Sequence, residues 1–215
     1  MAIEAVIFDY GGVFITSPVV GFARFERENS LPEKFIGGVI KNNLNEGAFA
    51  KFERSEIDFA RFDVEFAKET RDAGFEISGK TFLSLLHGSQ FHENMVAAFE
   101  ACKVAGLKTG CITNNLPLDA LDWGGEKDTA RHQQIFASFD HVIESAKAGV
   151  RKPEPVIYEM MCEALSVQPE FCVFLDDLGV NLKPAKAMGM KTIKVPLDDV
   201  QPAINELVAL TNIKI

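Results

Sequence analysis

The stretch EAVIFDYGGVF, residues 4 to 14, decides how the rest of the chain is interpreted. Its apolar run, residues 5–8, does not alternate with polar residues, which is typical of a strand buried on both faces. The run ends in Asp9, and burying a charged carboxylate without a partner is costly. Gly11 and Gly12 follow, and glycine lets the backbone turn sharply and approach another group closely. The stretch therefore predicts a buried strand that ends at a charged group in need of partners.

Composition and charge narrow the class of protein. The 215 residues suffice for one large domain or for two unequal ones. They are 47% apolar and 25% charged, as in globular proteins, and the net charge of −9 argues against a nucleic-acid surface. The sequence shows neither a long apolar run nor a basic leader, so no membrane span and no signal peptide are predicted. We expect a cytoplasmic protein without nucleic-acid or membrane partners, and the oligomeric state is left open.

Neither the cysteines nor the histidines have the spacing of a metal site. The four cysteines are widely separated, lie in apolar patterns and form no CxxC pair, which favours reduced thiols in the core. The four histidines match no metal-binding motif, so we expect ordinary surface or helix-end residues. These histidines are His87, His92, His132 and His141.

From about Leu107 onward, short apolar strands alternate with helical patterns. Strands are predicted to end at Thr113, at Ser145, at Asp177 and before Pro196. Strand, helix and strand in regular turn predict right-handed βαβ units, a parallel sheet, and a ligand site outside the carboxyl ends of the strands. Polar residues accumulate at those ends, namely Asp9, Thr113, Asn114, Asn115, Lys152, Asp176 and Asp177.

Residues 16–91 differ from the rest of the chain. They hold 11 of the 18 phenylalanines, which recur at helical spacing among charges of both signs. We predict an all-helical insert whose aromatic stripe is its own core rather than a lipid groove. The junctions near residues 16–18 and 88–89 are predicted hinges. The predicted domains are accordingly a core of residues 1–15 and 92–215 and a cap of residues 16–91.

The polar strand ends together suit phosphoryl chemistry. Taken singly, each has an ordinary explanation as a turn residue, a helix cap or a solvated lysine. Three carboxylates, one lysine and one hydroxyl at one sheet edge instead suit Mg²⁺ and a phosphoryl group, because Mg²⁺ prefers carboxylate oxygens and keeps positions for water and substrate. Thr113 and the amides after it are placed to hold phosphate oxygens, and Lys152 to neutralise developing charge.

Four short motifs occur in order along the chain: VIFDYGGV, CITNN, KPEP and FLDD. With these motifs at strand ends, the sequence resembles the haloacid dehalogenase superfamily. From residue 139 to residue 195 it is similar to the subgroup that contains the N-terminal phosphatase domain of soluble epoxide hydrolase. The resemblance implies an α/β fold, with a doubly wound, Rossmann-like parallel-sheet core and an inserted all-helical cap. It also implies a Mg²⁺-dependent phosphatase that acts on a phosphomonoester or phosphoanhydride of a small phosphorylated metabolite.

The resemblance implies catalytic and phosphate-binding roles for the matching residues. Asp9 is the expected nucleophile, which becomes an aspartyl phosphate, the covalent strategy that carboxylates use in phosphoryl transfer. Thr113, Asn114 and Asn115 are expected to hold the transferring phosphoryl group. Lys152 is expected to balance the charge beside Asp9.

The resemblance also implies a set of metal ligands. Asp9, Asp177 and the backbone carbonyl of Gly11 are expected to hold Mg²⁺. Asp176 is expected beside them, orienting either Lys152 or a metal-bound water. Asn181 is expected near the rim of the phosphate site.

One position departs from the family's pattern. Phosphatases of the family usually carry a second Asp two residues after the nucleophile, where this chain has Gly11. General acid–base help of that kind is worth ~10²- to 10⁴-fold, so slow turnover or substrates with good leaving groups are expected.

Two alternatives remain open. One is a non-catalytic or regulatory protein that binds a phosphorylated ligand in the same pocket. The other is a 2-haloacid dehalogenase, a branch that needs no metal and has Tyr at the second position after the nucleophile. This chain has Tyr10 one place earlier and keeps the metal-type pair Asp176–Asp177.

Overall fold

The computed structural model describes residues 2–86, 90–117 and 126–215. Its centre is a five-stranded sheet in the order β3-β2-β1-β4-β5, in which every neighbouring pair is parallel. The strands are β1 (Ala5–Phe8), β2 (Lys108–Thr113), β3 (His141–Glu144), β4 (Cys172–Asp176) and β5 (Lys191–Lys194). The predicted parallel sheet is thereby confirmed, and β1 is its central strand, paired with β2 on one side and β4 on the other.

Eleven α-helices and one short 3-10 helix, Pro169–Phe171, are formed by the described residues. The α-helices are α1 (Pro18–Glu28), α2 (Phe35–Asn42), α3 (Ala48–Glu53), α4 (Phe59–Asp72), α5 (Gly79–Ser84), α6 (Glu93–Val104), α7 (Glu126–Ser138), α8 (Ser145–Ala148), α9 (Pro155–Leu165), α10 (Gly179–Ala187) and α11 (Gln201–Thr211). None of them is long and apolar enough to cross a membrane.

Helices cover both faces of the sheet. On one face, Val6 and Phe8 of β1 join an apolar cluster with side chains of α6 and α11. On the other face, Ala5 and Ile7 join a second cluster with side chains of α9 and α10. All four β1 residues are fully buried, as the unbroken apolar run predicts, and the α/β core is doubly wound.

Helix α9 carries more apolar residues than it buries against the sheet. Ile157, Met161 and Leu165 pack against the sheet, whereas Val156 and Met160 are exposed. The apolar residues of α9 recur at helical spacing, but Val156 and Met160 lie beyond the strip that one sheet face covers.

Helices α1–α5 form the insert predicted for residues 16–91. Its centre is a cluster of buried phenylalanines, and the rings of Phe52 and Phe62 stack with their centroids 4.5 Å apart. The aromatic stripe is therefore core material of the insert itself, as expected. The division of the chain into a core domain and a cap domain stays a prediction.

The two chain segments that join the insert to the sheet lie side by side. Ile15 forms a β-bridge with Phe91, and the Thr16 backbone N–H donates to the Gln90 carbonyl over 2.9 Å. The junction predicted at residues 88–89 lies outside the described residues, as does His87.

The cysteines follow the prediction, and one histidine does not. All four cysteines are buried and free of disulfides. His132, however, is buried, and its Nδ1 lies 2.5 Å from the Tyr10 hydroxyl, so the expectation of a surface or helix-end histidine is wrong for this residue. Helix α7 turns His132 towards the loop after β1, a tertiary contact that local spacing does not reveal.

Candidate active site

Three carboxylates meet at the carboxyl ends of β1 and β4. The two strands pair directly, Phe8 opposite Leu175, so Asp9 emerges beside Asp176 and Asp177. Carboxylate oxygens of the three residues lie within 4.8 Å of one another, and all three residues are buried. The sheet topology thus brings together groups that lie far apart in the sequence.

The ammonium group of Lys152 connects two of these carboxylates. Its Nζ lies 2.7 Å from Asp9 Oδ1 and 2.8 Å from Asp176 Oδ2, and the residue is 1% exposed. The Asn114 side chain clamps the Lys152 backbone, because its Oδ1 accepts from the Lys152 N–H over 2.8 Å and its Nδ2 donates to the Lys152 carbonyl over 2.9 Å. The end of β2 therefore fixes the position of the lysine.

The charges of the cluster do not balance. Burial, followed by the repulsion of Asp176 and Asp177, raises the pKa of Asp9 well above its usual range, although Lys152 opposes the shift. Burial and Asp176 raise the pKa of Asp177 to about 6. Burial disfavours the Lys152 charge, but Asp176 and Asp9 outweigh it and raise the pKa of the lysine. Three carboxylates with one ammonium need a further positive charge, and a hard, oxygen-preferring cation such as Mg²⁺ fits this donor set.

The two glycines after Asp9 are not equivalent. Gly12 has φ +75°, and a Cβ atom there would lie 2.3 Å from the Asp177 carboxylate, so only glycine fits. A Cβ atom at Gly11 would meet only Pro18 Cδ, at 3.9 Å, and Gly11 is not among the glycines with positive φ. The loop backbone thus packs against Asp177, and metal binding by the Gly11 carbonyl stays a prediction.

The residues at the end of β2 have different surroundings. Thr113 is buried, and its hydroxyl donates no hydrogen bond to any residue that the structure describes. The Asn115 side chain donates to Glu144 over 3.0 Å and accepts from the Ala146 N–H over 3.1 Å. Asn115 therefore ties β2 to the start of α8, whereas the Thr113 hydroxyl is available to a ligand.

Asn181 contacts the carboxylate cluster from α10. Its Nδ2 lies 3.1 Å from both Asp176 carboxylate oxygens, and its backbone carbonyl accepts from the Tyr158 hydroxyl over 2.7 Å. The side chain is buried and orients Asp176, and its place near the rim of the phosphate site stays a prediction.

Two further contacts escape the sequence analysis. The Ser17 hydroxyl donates to Asp177 Oδ2 over 2.6 Å, and the Tyr10 N–H donates to Asp9 Oδ1 over 2.6 Å. The Ser17 contact could have been suspected from the sequence, because Ser17 lies at a predicted hinge and its hydroxyl comes just before the first turn of α1. For Tyr10, the sequence shows only that the residue follows Asp9, and nothing in it indicates that the ring is buried.

The family comparison agrees with the site geometry. The family model for haloacid dehalogenase-like hydrolases matches residues 3–189. The chain is 34% identical over 211 residues to acyl-CoA dehydrogenase family member 10 of Mus musculus, covering 96% of this chain and 19% of that protein. It is 33% identical over 224 residues to bifunctional epoxide hydrolase 2 of Mus musculus, covering 98% of this chain and 39% of that protein. The chain thus spans less than half the length of these two relatives.

A third relative has a length similar to this chain. The protein named phosphatase MT3486 of Mycobacterium tuberculosis (strain CDC 1551 / Oshkosh) is 28% identical over 206 residues, covering 91% of this chain and 88% of that protein. Its match therefore extends over most of both chains.

Solved structures share the fold at low sequence identity. A haloacid dehalogenase family enzyme from Bacteroides thetaiotaomicron, in complex with magnesium and inorganic phosphate, has a TM-score of 0.55 at 17% identity and covers 92% of this chain and 96% of its own. The L-2-haloacid dehalogenase of Xanthobacter autotrophicus has a TM-score of 0.58 at 20% identity and covers 99% of this chain and 85% of its own. With a family model that matches most of its length and the four motifs gathered at one buried site, the chain belongs to the haloacid dehalogenase-like hydrolases.

Proposed function

We propose that the chain is a Mg²⁺-dependent phosphatase that hydrolyses a phosphomonoester or phosphoanhydride of a small metabolite through an aspartyl phosphate on Asp9. The observation that carries the proposal is the cluster of three buried carboxylates, two of which are bridged by one buried lysine. An arrangement that served only stability would not bury such an excess of negative charge, because unpaired buried charges are strongly unfavourable. The excess suits a site that receives a cation.

The two oxygens of Asp9 differ in their surroundings. Oδ1 accepts from the Tyr10 N–H and contacts the Lys152 ammonium, whereas Oδ2 has no hydrogen-bond partner among the described residues. Oδ2 is thus the oxygen that attacks phosphorus. The new Oδ2–P bond forms as the bond from phosphorus to the leaving oxygen breaks, and that oxygen takes its proton from water. A second water then attacks phosphorus, which releases inorganic phosphate and restores the carboxylate.

Other residues hold the reacting groups in place. Asp9, Asp177, Asp176 and the Gly11 carbonyl would hold Mg²⁺, which neutralises phosphoryl charge and orients the group when bound. The Thr113 hydroxyl and the backbone N–H of Asn114 would hold phosphoryl oxygens.

Asn115 and Asn181 would act indirectly, by fixing the groups that contact the phosphoryl group or the metal. The Asn115 side chain fixes the loop after β2, and the Asn181 side chain fixes Asp176. Lys152 remains charged throughout, because the carboxylates around it raise its pKa.

Relatives give partial support for this choice of reaction. The relative from Mycobacterium tuberculosis is named a phosphatase, and an enzyme with this fold was crystallised with magnesium and phosphate. A dehalogenase shares the fold as well, so the fold alone does not select the reaction. The site favours the phosphatase, because Asp176 and Asp177 are both present in the cluster and the Tyr10 ring is buried in the core with its hydroxyl on His132.

The test is hydrolysis of p-nitrophenyl phosphate with and without Mg²⁺. We expect activity with Mg²⁺, loss of activity with EDTA, and recovery when Mg²⁺ is restored. Release of chloride from 2-chloropropionate without metal would instead identify a dehalogenase. Phosphate binding without either activity would identify a non-catalytic binding protein. A panel of phosphorylated metabolites, assayed with Mg²⁺, then identifies the substrate.

A further inference from the structure

The loop that carries Lys152 is held from two sides. On one side, the Asn114 side chain makes both hydrogen bonds to the Lys152 backbone, which links the lysine to the end of β2. On the other side, the neighbouring residue Arg151 extends its side chain into the helical insert formed by α1–α5. The position of the lysine therefore depends on the core and on the insert together.

Arg151 makes two contacts with the insert. Its Nε lies 2.6 Å from Glu53 Oε2 at the end of α3, and its Nη1 donates to the Leu44 carbonyl over 2.6 Å. The Glu53 and Arg151 side chains are only 5% and 6% exposed. The Nε–H does not point at the carboxylate, so the Glu53 contact is an ion pair without an aligned hydrogen bond. Two charges from distant parts of the chain are thus buried against each other.

Weaker contacts lie around this ion pair. The Ser55 hydroxyl donates to the Ala146 carbonyl over 2.8 Å, and Arg54 lies 3.5 Å from Glu154. Both join the end of α3 to the same part of the core, between β3 and α9. The Glu53–Arg151 pair is the only one of these contacts whose two partners are both buried charges, among the residues that the structure describes.

We propose that the Glu53–Arg151 pair is a latch that docks α3 of the insert onto the Lys152 loop, which makes Arg151 a positioning residue for the reaction at Asp9. If the insert moves away, both charges lose their partner, and if it docks, both are buried as a pair. Removing one partner of a buried pair leaves an uncompensated charge, whereas replacing both with apolar residues is often tolerated. The latch is therefore testable by comparing single and double variants.

Glu53 is the better residue to replace first. Burial raises the pKa of Glu53 to about 7, with Arg151 opposing the shift, so in an Arg151→Met variant this acid can become neutral by taking up a proton. A guanidinium group cannot lose its charge in this way. Glu53→Leu thus leaves a permanent buried charge on Arg151, and we expect it to undock α3 most clearly.

The first measurement is hydrogen exchange of the metal-free protein, which does not depend on activity. In Glu53→Leu we expect amides of α3 and of residues 149–154 to exchange about tenfold faster or more, as the loss of one buried partner implies. Amides of β1 and β4 should keep their wild-type rates, which shows that the core is folded. In Glu53→Leu/Arg151→Met the protection of α3 should return. The matched control is Arg71→Met, which breaks the exposed Arg71–Glu76 pair within the insert and should change neither segment.

The second measurement is kcat/KM for p-nitrophenyl phosphate at saturating Mg²⁺, and it rests on the proposed phosphatase function. We expect Glu53→Leu to lose about tenfold or more, and the double variant to recover to within about threefold of wild type, because docking rather than charge is restored. The latch would be overturned if the α3 amides of Glu53→Leu exchanged at the wild-type rate. It would also be overturned if the α3 amides of the double variant exchanged as fast as those of Glu53→Leu. Recovered protection with kcat/KM still low would mean that Arg151 acts on the reaction directly, and would overturn its positioning role. A wild type without phosphatase activity would overturn the proposed function, while the exchange data would still decide on the latch.

Discussion

The carboxylate of Asp9 is tolerated at the end of a buried strand because several groups share its charge. Lys152 contacts Oδ1, and the Tyr10 N–H donates to the same oxygen. These partners are not sufficient for three carboxylates, and the Mg²⁺ proposed above would complete the balance. The two glycines that follow differ in their roles. Gly12 makes the close turn, and Gly11 occupies the position where related phosphatases usually carry a second Asp.

The first prediction concerns this division between the glycines. Gly11→Asp should fold normally, because a Cβ atom at Gly11 has room and the backbone there has no positive φ. It should raise kcat on alkyl phosphates by about tenfold or more, since general acid help is worth ~10²- to 10⁴-fold where it is well placed. Rates on aryl phosphates, whose leaving groups need no proton, should change less.

The matched control is Gly12→Ala. Its Cβ atom would lie 2.3 Å from the Asp177 carboxylate in a backbone conformation with φ +75°, so both stability and activity should fall. Steady-state kinetics on leaving groups of different pKa provide the check. A flat dependence in the wild type would show that another group already supplies the proton, and that Gly11 is not a catalytic deficit.

The second prediction concerns pH and Mg²⁺ at Asp177. Burial and then Asp176 raise the pKa of Asp177 to about 6. The protonated carboxyl group therefore stabilises the metal-free fold at low pH, and this stabilisation is lost as the pH rises through 6. Mg²⁺ binds the ionised form of Asp177, so protons compete with the metal at low pH. At one pH unit below this pKa the competition weakens Mg²⁺ binding about tenfold, which is ~1.4 kcal/mol of binding free energy. The rise in Tm on adding Mg²⁺ should therefore be ~3 to 6 °C smaller at pH 5 than at pH 7.5.

Thermal melts with and without Mg²⁺ at the two pH values measure this effect. In Asp177→Asn the rise in Tm should be small at both values, because a ligand is missing. An equal rise at pH 5 and pH 7.5 in the wild type would remove Asp177 from the metal site.

At the scale of elements, the chain enters and leaves the insert side by side. Among the described residues of these two segments, Ile15 pairs with Phe91, and Thr16 with Gln90. The Ser17 hydroxyl next to it contacts Asp177. A rotation of α1–α5 about this pairing would change access to the site while the sheet stays fixed.

The third prediction follows from this geometry. Phosphoryl transfer through an aspartyl phosphate excludes water in the first step and admits it in the second, which favours a moving lid. Crystals of the free protein and of a complex with Mg²⁺ and orthovanadate should differ by a rotation of α1–α5 about the Thr16–Gln90 pairing, with the five strands superimposing. If the insert occupied the same closed position in both crystals, a mobile lid would be excluded.

At the scale of the whole molecule, the sequence predicts the fold well because its signals are local. The unbroken apolar run of β1, the alternation of strands and helices and the phenylalanine-rich insert all appear in the structure. The convergence of Asp9 and the Asp176–Asp177 pair follows from the rule that parallel strands end at one edge, whereas Lys152 reaches them from the loop between α8 and α9. These expectations needed only periodicity and topology.

Periodicity and topology do not predict which side chains contact each other across the fold. The Glu53–Arg151 and Tyr10–His132 contacts join residues far apart in the chain, and no spacing rule relates them. The Asn114 side chain makes two hydrogen bonds to the Lys152 backbone, a pairing that the motif does not reveal, while the role of Asn114 in holding the phosphoryl group stays a prediction. Residue type predicts that an amide will bind something, but its partner depends on the assembled fold.

The central claim is that Asp9 becomes phosphorylated during turnover, and trapping that intermediate tests it most directly. The protein with Mg²⁺ and p-nitrophenyl phosphate is quenched in acid during steady-state turnover, digested, and analysed by mass spectrometry for the peptide that contains Asp9. We predict that this peptide gains the mass of one phosphoryl group, that the gain is lost on treatment with hydroxylamine, and that Asp9→Asn shows neither the gain nor turnover. Sustained turnover by Asp9→Asn, or a phosphoryl group on a different residue, would contradict the proposed mechanism.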